Sequence, residues 1–94
     1  MINFEKVEGK DKGDVKLFAL STCVWCKRTK MLLSDLNVAY RYVFVDLLEG
    51  EEKDEVVEEV KKLNPRCSYP TIIINDSSCI VGFKKDQIID ELGD

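Results

Sequence analysis

The fold of this chain is decided by residues 15–26, whose sequence is VKLFALSTCVWC. The apolar first half of this segment predicts a buried strand, and Ser21-Thr22 is a dipeptide typical of helix starts. Cys23 and Cys26 follow, two residues apart, where the predicted helix begins. A strand that leads into Cys-x-x-Cys at the mouth of a helix indicates thiol–disulfide exchange more often than a metal-binding knuckle.

The start of a helix favours an ionised thiol, which is the reactive form of cysteine. Its free N–H groups and about half a positive charge stabilise a thiolate, and such placement brings a cysteine pKa from about 8.5 down to roughly 3.5–7.5. Cys23 lies nearer the predicted helix start and the solvent, so we expect it to be the nucleophile. Cys26, one turn further in, is then the resolving thiol that releases the product.

The composition predicts one small globular domain in a reducing compartment. The chain has 94 residues, of which 45% are hydrophobic and 34% charged, and its net charge of −4 argues against a nucleic-acid partner. The first residues contain no apolar signal segment and no apolar run approaches about 18 residues, so we expect a cytoplasmic protein without a membrane partner. The absence of histidine excludes histidine-based acid–base catalysis and imidazole-containing zinc sites.

The spacing of apolar residues along the rest of the chain predicts seven elements in the order β-α-β-α-β-β-α. Two parallel strands are joined by a crossover helix and followed, after a second helix, by an antiparallel hairpin and a last helix. Residues 1–13 have the pattern of a short added strand and turn. The predicted elements are a strand at 15–20, a helix at 23–36, a strand at 40–46, a helix at 51–63, strands at 71–75 and 79–81, and a helix at 84–92.

This order, with Cys-x-x-Cys after the first strand, resembles the glutaredoxin form of the thioredoxin fold. The motifs that match are STCVWC at 21–26, SYPT at 68–71 and VGF at 81–83. In glutaredoxins they correspond to the redox pair, a cis-proline loop and a glycine turn before the last helix. The resemblance implies an α/β, thioredoxin-like fold with a four-stranded mixed sheet and three flanking helices. Residues 15–94 would form the glutaredoxin-like domain and residues 1–14 an N-terminal extension.

The resemblance also implies which residues meet a substrate. An X–Pro bond is cis only about 5–6% of the time in folded proteins, so the sequence alone favours a trans Pro70, whereas the resemblance implies a cis Pro70 beside the redox pair. Tyr69 would offer its backbone N–H and C=O to an extended substrate, although its ring is equally explained by packing. Trp25 would form an exposed apolar platform; the alternative is a surface aromatic without a role. The other expected substrate-binding residues are Thr22, Gly82 and Lys84.

The sequence departs from glutathione-dependent glutaredoxins at two places. They usually have a lysine three residues before the first cysteine, where this chain has Leu20, and acids after a Gly-Gly turn, where it has Gly82-Phe83-Lys84-Lys85. This pattern is more similar to NrdH-redoxins, which take electrons from a thioredoxin reductase, and to glutaredoxin-like proteins of anaerobes. We therefore expect no tightly bound cofactor and an external reductase or low-molecular-weight thiol, rather than glutathione, as electron donor.

The remaining sequence signals leave two questions open. Cys67 is either an ordinary loop thiol or a partner in a regulatory disulfide, and Cys79 is predicted to be a small hydrophobe in the core. Lys27, Arg28 and Lys30 are each explained by solvation, but together they favour a thiolate and an anionic partner surface.

The function that these patterns predict is that of a monomeric thiol–disulfide oxidoreductase acting on protein or small-molecule disulfides. We expect no metal site, because a zinc ribbon needs a second Cys-x-x-Cys some 15–20 residues on and the chain has none. The alternative is an iron–sulfur or zinc carrier that binds metal through Cys23.

Overall fold

The computed structural model describes residues 2–93 of the chain. No helix within that range is long and apolar enough to cross a membrane. In chain order, the elements are β1 (Glu5–Val7), β2 (Val15–Ala19), α1 (Val24–Asp35), β3 (Tyr40–Phe44), a short 3-10 helix (Val45–Leu47), α2 (Gly50–Leu63), β4 (Thr71–Ile74), β5 (Ser78–Val81) and α3 (Lys85–Leu92).

The strands form one mixed sheet in the order β1-β3-β2-β4-β5. Strands β2 and β3 are parallel and joined by α1, while the other neighbouring pairs are antiparallel. The predicted mixed sheet with three helices is confirmed, but the sheet has five strands within residues 2–93 rather than four. The extra strand is β1, which pairs with β3 and places Glu5 opposite Tyr42. It covers an edge that would otherwise present unpaired N–H and C=O groups.

The sheet separates two apolar cores because alternate residues of its central strands point to opposite faces. Leu17 and Ile72 pack with buried residues of α1 and α3. Phe18 and Ile73, their sequence neighbours, pack with Val56 and the rest of the buried face of α2. Helices α1 and α3 therefore lie on one face of the sheet and α2 on the other, and the redox segment stands at the end of the fully buried β2.

The ends of α1 and β3 determine how the chain turns back towards the redox segment. Helix α1 stops before Asn37, which has a left-handed backbone with φ of 56°, a conformation that asparagine tolerates better than most residues. The strand predicted at residues 40–46 ends at Phe44, because Val45 begins a 3-10 turn in which its carbonyl accepts the Leu48 N–H at 3.2 Å. This turn carries Asp46 towards the loop that precedes Cys23.

Candidate active site

Cys23 is the residue at which α1 begins. Its backbone is extended, with φ of −89° and ψ of 120°, and its Sγ accepts a hydrogen bond from the Cys26 N–H at 3.2 Å. The sequence favoured Ser21-Thr22 as the capping residues; instead, the thiol of Cys23 caps the helix itself. No acidic side chain lies in the first turn. A thiolate at Cys23 therefore receives both an N–H donor and the positive end of the helix dipole.

Cys26 lies one turn further along α1 and has a different environment. Only 1% of its surface is exposed, and its Sγ accepts a hydrogen bond from the Leu20 N–H at 3.4 Å. Burial, followed by the hydrogen bond with Cys23, raises the pKa of the Cys26 thiol from 9.0 to about 12. Cys26 therefore remains protonated at neutral pH.

This difference predicts unequal alkylation of the two thiols. Limiting iodoacetamide at neutral pH should label Cys23 at least about tenfold more than Cys26, since a thiol with a pKa of about 12 is ionised to only about one part in 10⁵ at pH 7. Because the pKa of Cys26 is raised, its labelling should increase as the pH rises from 9 towards 12. Peptide mass spectrometry gives both extents; equal labelling at neutral pH would show that the two environments do not differ.

Asp46 is a functional candidate that the sequence did not reveal. Its Oδ1 accepts the Ser21 N–H at 2.8 Å and its Oδ2 accepts the Ser21 hydroxyl at 2.6 Å, and these hydrogen bonds hold the pKa of the carboxyl below its usual range. Asp46 thereby fixes the loop from Ser21 to Cys23. Its charge also contributes to the raised pKa of Cys26. The only available signal was a carboxylate just after a strand parallel to the one that leads into the redox pair.

We expect Asp46 to act as a positioning residue. Asp46→Ala, which removes both acceptors, should slow disulfide reduction by roughly three- to tenfold, because a displaced nucleophile reacts less efficiently. Asp46→Asn keeps an acceptor for the Ser21 N–H and should recover most of the rate. Because the asparagine carries no charge, it should also lower the pKa of Cys26, measured from the pH dependence of its alkylation. Rates and pH profiles that are unchanged from the parent protein in both variants would exclude the role.

Three loops meet beside the redox pair. The Tyr69-Pro70 peptide bond is cis, as the resemblance implied, and the Pro70 carbonyl accepts the Gly82 N–H at 2.8 Å. Trp25 stacks on Phe83, with ring centroids 5.8 Å apart. These five residues line a cavity of about 230 Å³. The structure thus brings together four expected substrate-binding residues, Trp25, Tyr69, Pro70 and Gly82, and adds Phe83, which the sequence analysis did not select.

Thr22 and Lys84 border this cavity in sequence but do not line it. Thr22 is exposed in the loop before Cys23, and Lys84 is exposed at the residue where α3 begins. The Lys84 side chain makes no capping hydrogen bond to α3. A contact of either residue with substrate stays a prediction.

The other two cysteines have local partners. Cys67 Sγ lies 3.2 Å from the Tyr69 hydroxyl, and burial together with this hydrogen bond raises the pKa of Tyr69. Cys79 Sγ donates to the Leu63 carbonyl at 3.3 Å. Cys79 is only half-buried against the core beneath α2, so the prediction of a core position was wrong in degree. Cys79 lies in β5 at the edge of the sheet, and a residue of an edge strand is less covered than a residue of a central strand.

We expect Cys67 and Cys79 to be dispensable for exchange. A Cys67→Ser/Cys79→Ala double variant loses one thiol–hydroxyl contact and one weak hydrogen bond, so its rate of disulfide reduction should stay within about threefold of the parent. Thermal unfolding should show a modest loss of stability, with Cys79→Ala alone accounting for most of it. A folded double variant slower by two orders of magnitude would reveal a second redox pair.

A metal centre finds little support in the side chains themselves. Within residues 2–93, no three or more Cys, Asp or Glu side chains lie close enough together to hold a metal ion.

Comparison with known proteins identifies the class to which this fold and cysteine pair belong. Residues 15–79 match the glutaredoxin family model. An uncharacterized glutaredoxin-like 8.6 kDa protein in the rubredoxin operon of Clostridium pasteurianum is 36% identical over 74 residues, which cover 79% of this chain and 91% of that protein. The chain belongs to the glutaredoxin family, and the family together with the Cys23-x-x-Cys26 pair supports a thiol oxidoreductase.

Two solved structures share both fold and sequence with the chain. The glutaredoxin from Methanosarcina mazei Go1 is 50% identical, with a TM-score of 0.91 and coverage of 100% of this chain and 98% of that one. Methanosarcina acetivorans methanoredoxin is 55% identical, with a TM-score of 0.88 and coverage of 92% and 90%. These similarities confirm the predicted thioredoxin-like fold of the glutaredoxin type.

Proposed function

We propose that this protein reduces protein or low-molecular-weight disulfides through the Cys23–Cys26 pair. The observation that carries the proposal is the inequality of the two thiols. Cys23 is partly exposed and its Sγ accepts a hydrogen bond from a helix N–H, whereas Cys26 is buried with its pKa raised to about 12. Dithiol exchange requires an accessible thiol that attacks the substrate disulfide and a second, nearby thiol that attacks the resulting mixed disulfide.

The first step is attack of the Cys23 thiolate on one sulfur of the substrate disulfide. A new S–S bond forms between Cys23 and that sulfur, the substrate S–S bond breaks, and the other substrate sulfur leaves as a thiolate. No net electron change has occurred at this stage, because one disulfide has replaced another. An extended substrate would lie along the Tyr69-Pro70 loop, where the Tyr69 backbone groups can pair with it as a short strand does.

The second step is attack of Cys26 on Cys23 Sγ. Formation of the mixed disulfide removes the charge and the thiol hydrogen bond at Cys23 that contribute to the raised pKa of Cys26, so Cys26 loses its proton more readily. The bond between Cys23 Sγ and the substrate sulfur breaks, and this sulfur leaves as the second substrate thiolate. The proton lost by Cys26 and the proton that Cys23 released to water on ionising protonate the two substrate thiolates. The protein now holds a Cys23–Cys26 disulfide, and the substrate has gained two electrons and two protons.

Repeated turnover needs an external donor of two electrons. We propose that a thioredoxin-reductase-type enzyme or a low-molecular-weight thiol other than glutathione serves, and that the protein acts as a cytoplasmic monomer without a tightly bound cofactor. Residues 15–94 would carry the activity, while residues 1–14 form an extension that supplies the edge strand.

The test uses insulin as a protein disulfide and dithiothreitol as reductant. The parent protein should accelerate insulin reduction, and Cys23→Ser should not. Freshly purified protein should also be assayed for zinc, iron and visible absorbance. Stoichiometric metal that is lost in Cys23→Ser, without any acceleration by the parent, would instead favour the metal carrier.

A further inference from the structure

Exposed apolar side chains adjoin the nucleophile. Val24 and Trp25 are 59% and 54% exposed, although burial of such side chains is favourable. The Trp25 ring is held in place by Phe83, at an interplanar angle of 27°, and by the Arg28 guanidinium, 5.2 Å from its centroid. We use the name Trp25–Phe83 surface for the area beside Cys23 that is formed by Val24, Trp25, Arg28, Tyr69 and Phe83.

Cations surround this surface although the chain as a whole is acidic. Four exposed cations lie where α1 and α3 begin: Lys27, Arg28, Lys84 and Lys85. The carboxylates at this end include Asp86 and Asp46, and Asp46 is already hydrogen-bonded to Ser21. Both helices also present their positive N-terminal ends here.

The acids are concentrated across the sheet. Helix α2 packs against the opposite face and carries six carboxylates against three lysines. The chain with a net charge of −4 therefore has a cationic redox end and an acidic far side. An acidic partner is repelled on the α2 side and attracted at the redox end, which orients its approach.

We propose that the Trp25–Phe83 surface docks acidic protein substrates whose disulfide lies beside a bulky apolar side chain and is flanked by carboxylates. The inference rests on the proposed exchange at Cys23 and specifies its substrate class. The cavity of about 230 Å³ next to Trp25 and Phe83 is smaller than the roughly 300–1,000 Å³ of typical small-molecule pockets. It suits one side chain of a protein better than a whole organic ligand, while the cations pair with carboxylates around it.

The test measures single turnovers of pre-reduced protein, so that no electron donor is needed. Two peptides each carry one cysteine as a mixed disulfide with 2-mercaptoethanol, with leucine beside it and either glutamates or lysines at the flanking positions. At low ionic strength the glutamate peptide should react roughly tenfold faster than the lysine peptide, and added salt should bring the ratio towards one. Every rate is divided by that of the same protein with neutral 2-hydroxyethyl disulfide.

The effect of charge reversal on the preference for the glutamate peptide should depend on where the lysines lie. Lys84→Glu/Lys85→Glu should abolish or invert the preference for the glutamate peptide, whereas the matched control Lys61→Glu/Lys62→Glu on α2 should leave it unchanged. A third peptide has the flanking glutamates with serine in place of leucine beside its cysteine. The rate advantage of the leucine peptide over this serine peptide should be smaller for Phe83→Ser than for the parent protein.

The outcomes separate the docking surface from the exchange chemistry. Equal rates for the two peptides at low salt, or the same loss in both double variants, would overturn the docking surface while reduction of 2-hydroxyethyl disulfide still supported the proposed function. Failure of the parent protein to reduce any of the peptide disulfides or 2-hydroxyethyl disulfide would overturn both.

Discussion

Cys23→Ser should abolish disulfide reduction, while Cys26→Ser should attack a disulfide once and then stall. Without the Cys23 thiol, the remaining thiol of the pair is 1% exposed, and this burial is the largest cause of its raised pKa, so it neither reaches nor attacks a substrate efficiently. Without the Cys26 thiol, the mixed disulfide at Cys23 has no internal thiol to resolve it. We expect a loss of at least about three orders of magnitude in turnover for Cys23→Ser.

Trapping of the mixed disulfide distinguishes the nucleophilic cysteine from the resolving cysteine. A fluorescent peptide disulfide incubated with each variant should label Cys26→Ser stably, as seen by non-reducing electrophoresis, and should not label Cys23→Ser. Because Cys67 is a further half-exposed thiol, both variants should be made in the Cys67→Ser/Cys79→Ala background. Stable labelling of Cys23→Ser and none of Cys26→Ser would reverse the roles of the two cysteines.

Glutathione should be a poor electron donor for this protein. Glutathione has two carboxylates and one ammonium, and the family usually meets them with a cation before the nucleophile and acids near the last helix. Leu20 lies at the position of the cation and carries no charge. Lys84 and Lys85, at the start of α3, lie at the position of the acids and repel the ammonium. A hydrogen bond to a charged group is worth about 1.5–3 kcal/mol, so losing two should cost roughly two to four orders of magnitude in affinity.

The measurement is steady-state reduction of 2-hydroxyethyl disulfide with glutathione and glutathione reductase as the sole electron source. Turnover should be slow and should rise with glutathione concentration without saturating in the millimolar range. Lys84→Asp, which places an acid where glutathione-dependent members have one, should improve turnover, whereas Lys61→Asp on α2 should not. Rapid turnover of the parent protein that saturates at millimolar glutathione would contradict this expectation.

The sequence predicted those features that local patterns encode. The Cys-x-x-Cys after an apolar run, the strand predicted at residues 71–75 and the helix predicted at 51–63 all correspond to elements of the structure, at the start of α1, β4 (Thr71–Ile74) and α2 (Gly50–Leu63). The helix predicted at residues 23–36 corresponds to α1, which ends before Asn37, a residue type that tolerates a left-handed backbone. Each of these signals depends on residues within one element.

Contacts between distant segments were beyond the sequence. Asp46 meets Ser21 across 25 positions, and Trp25 meets Phe83 only because the starts of α1 and α3 converge. The dipeptide Ser21-Thr22 was expected to cap α1, but the Ser21 hydroxyl donates to Asp46 and Cys23 caps the helix. Where a side chain has two possible hydrogen-bond partners, tertiary packing rather than local preference determines which of them it binds.

Acid quenching of a single turnover examines the Cys23–Cys26 pair itself. Reduced protein is mixed with an equal amount of 2-hydroxyethyl disulfide, quenched, alkylated and digested with trypsin, which leaves both cysteines on the peptide of residues 17–27. We predict that this peptide loses two hydrogen atoms and resists alkylation as each substrate disulfide is reduced, while Cys67 and Cys79 remain alkylated thiols. Substrate reduction without that change, or with a disulfide at Cys67 or Cys79 instead, would contradict the proposed exchange pair.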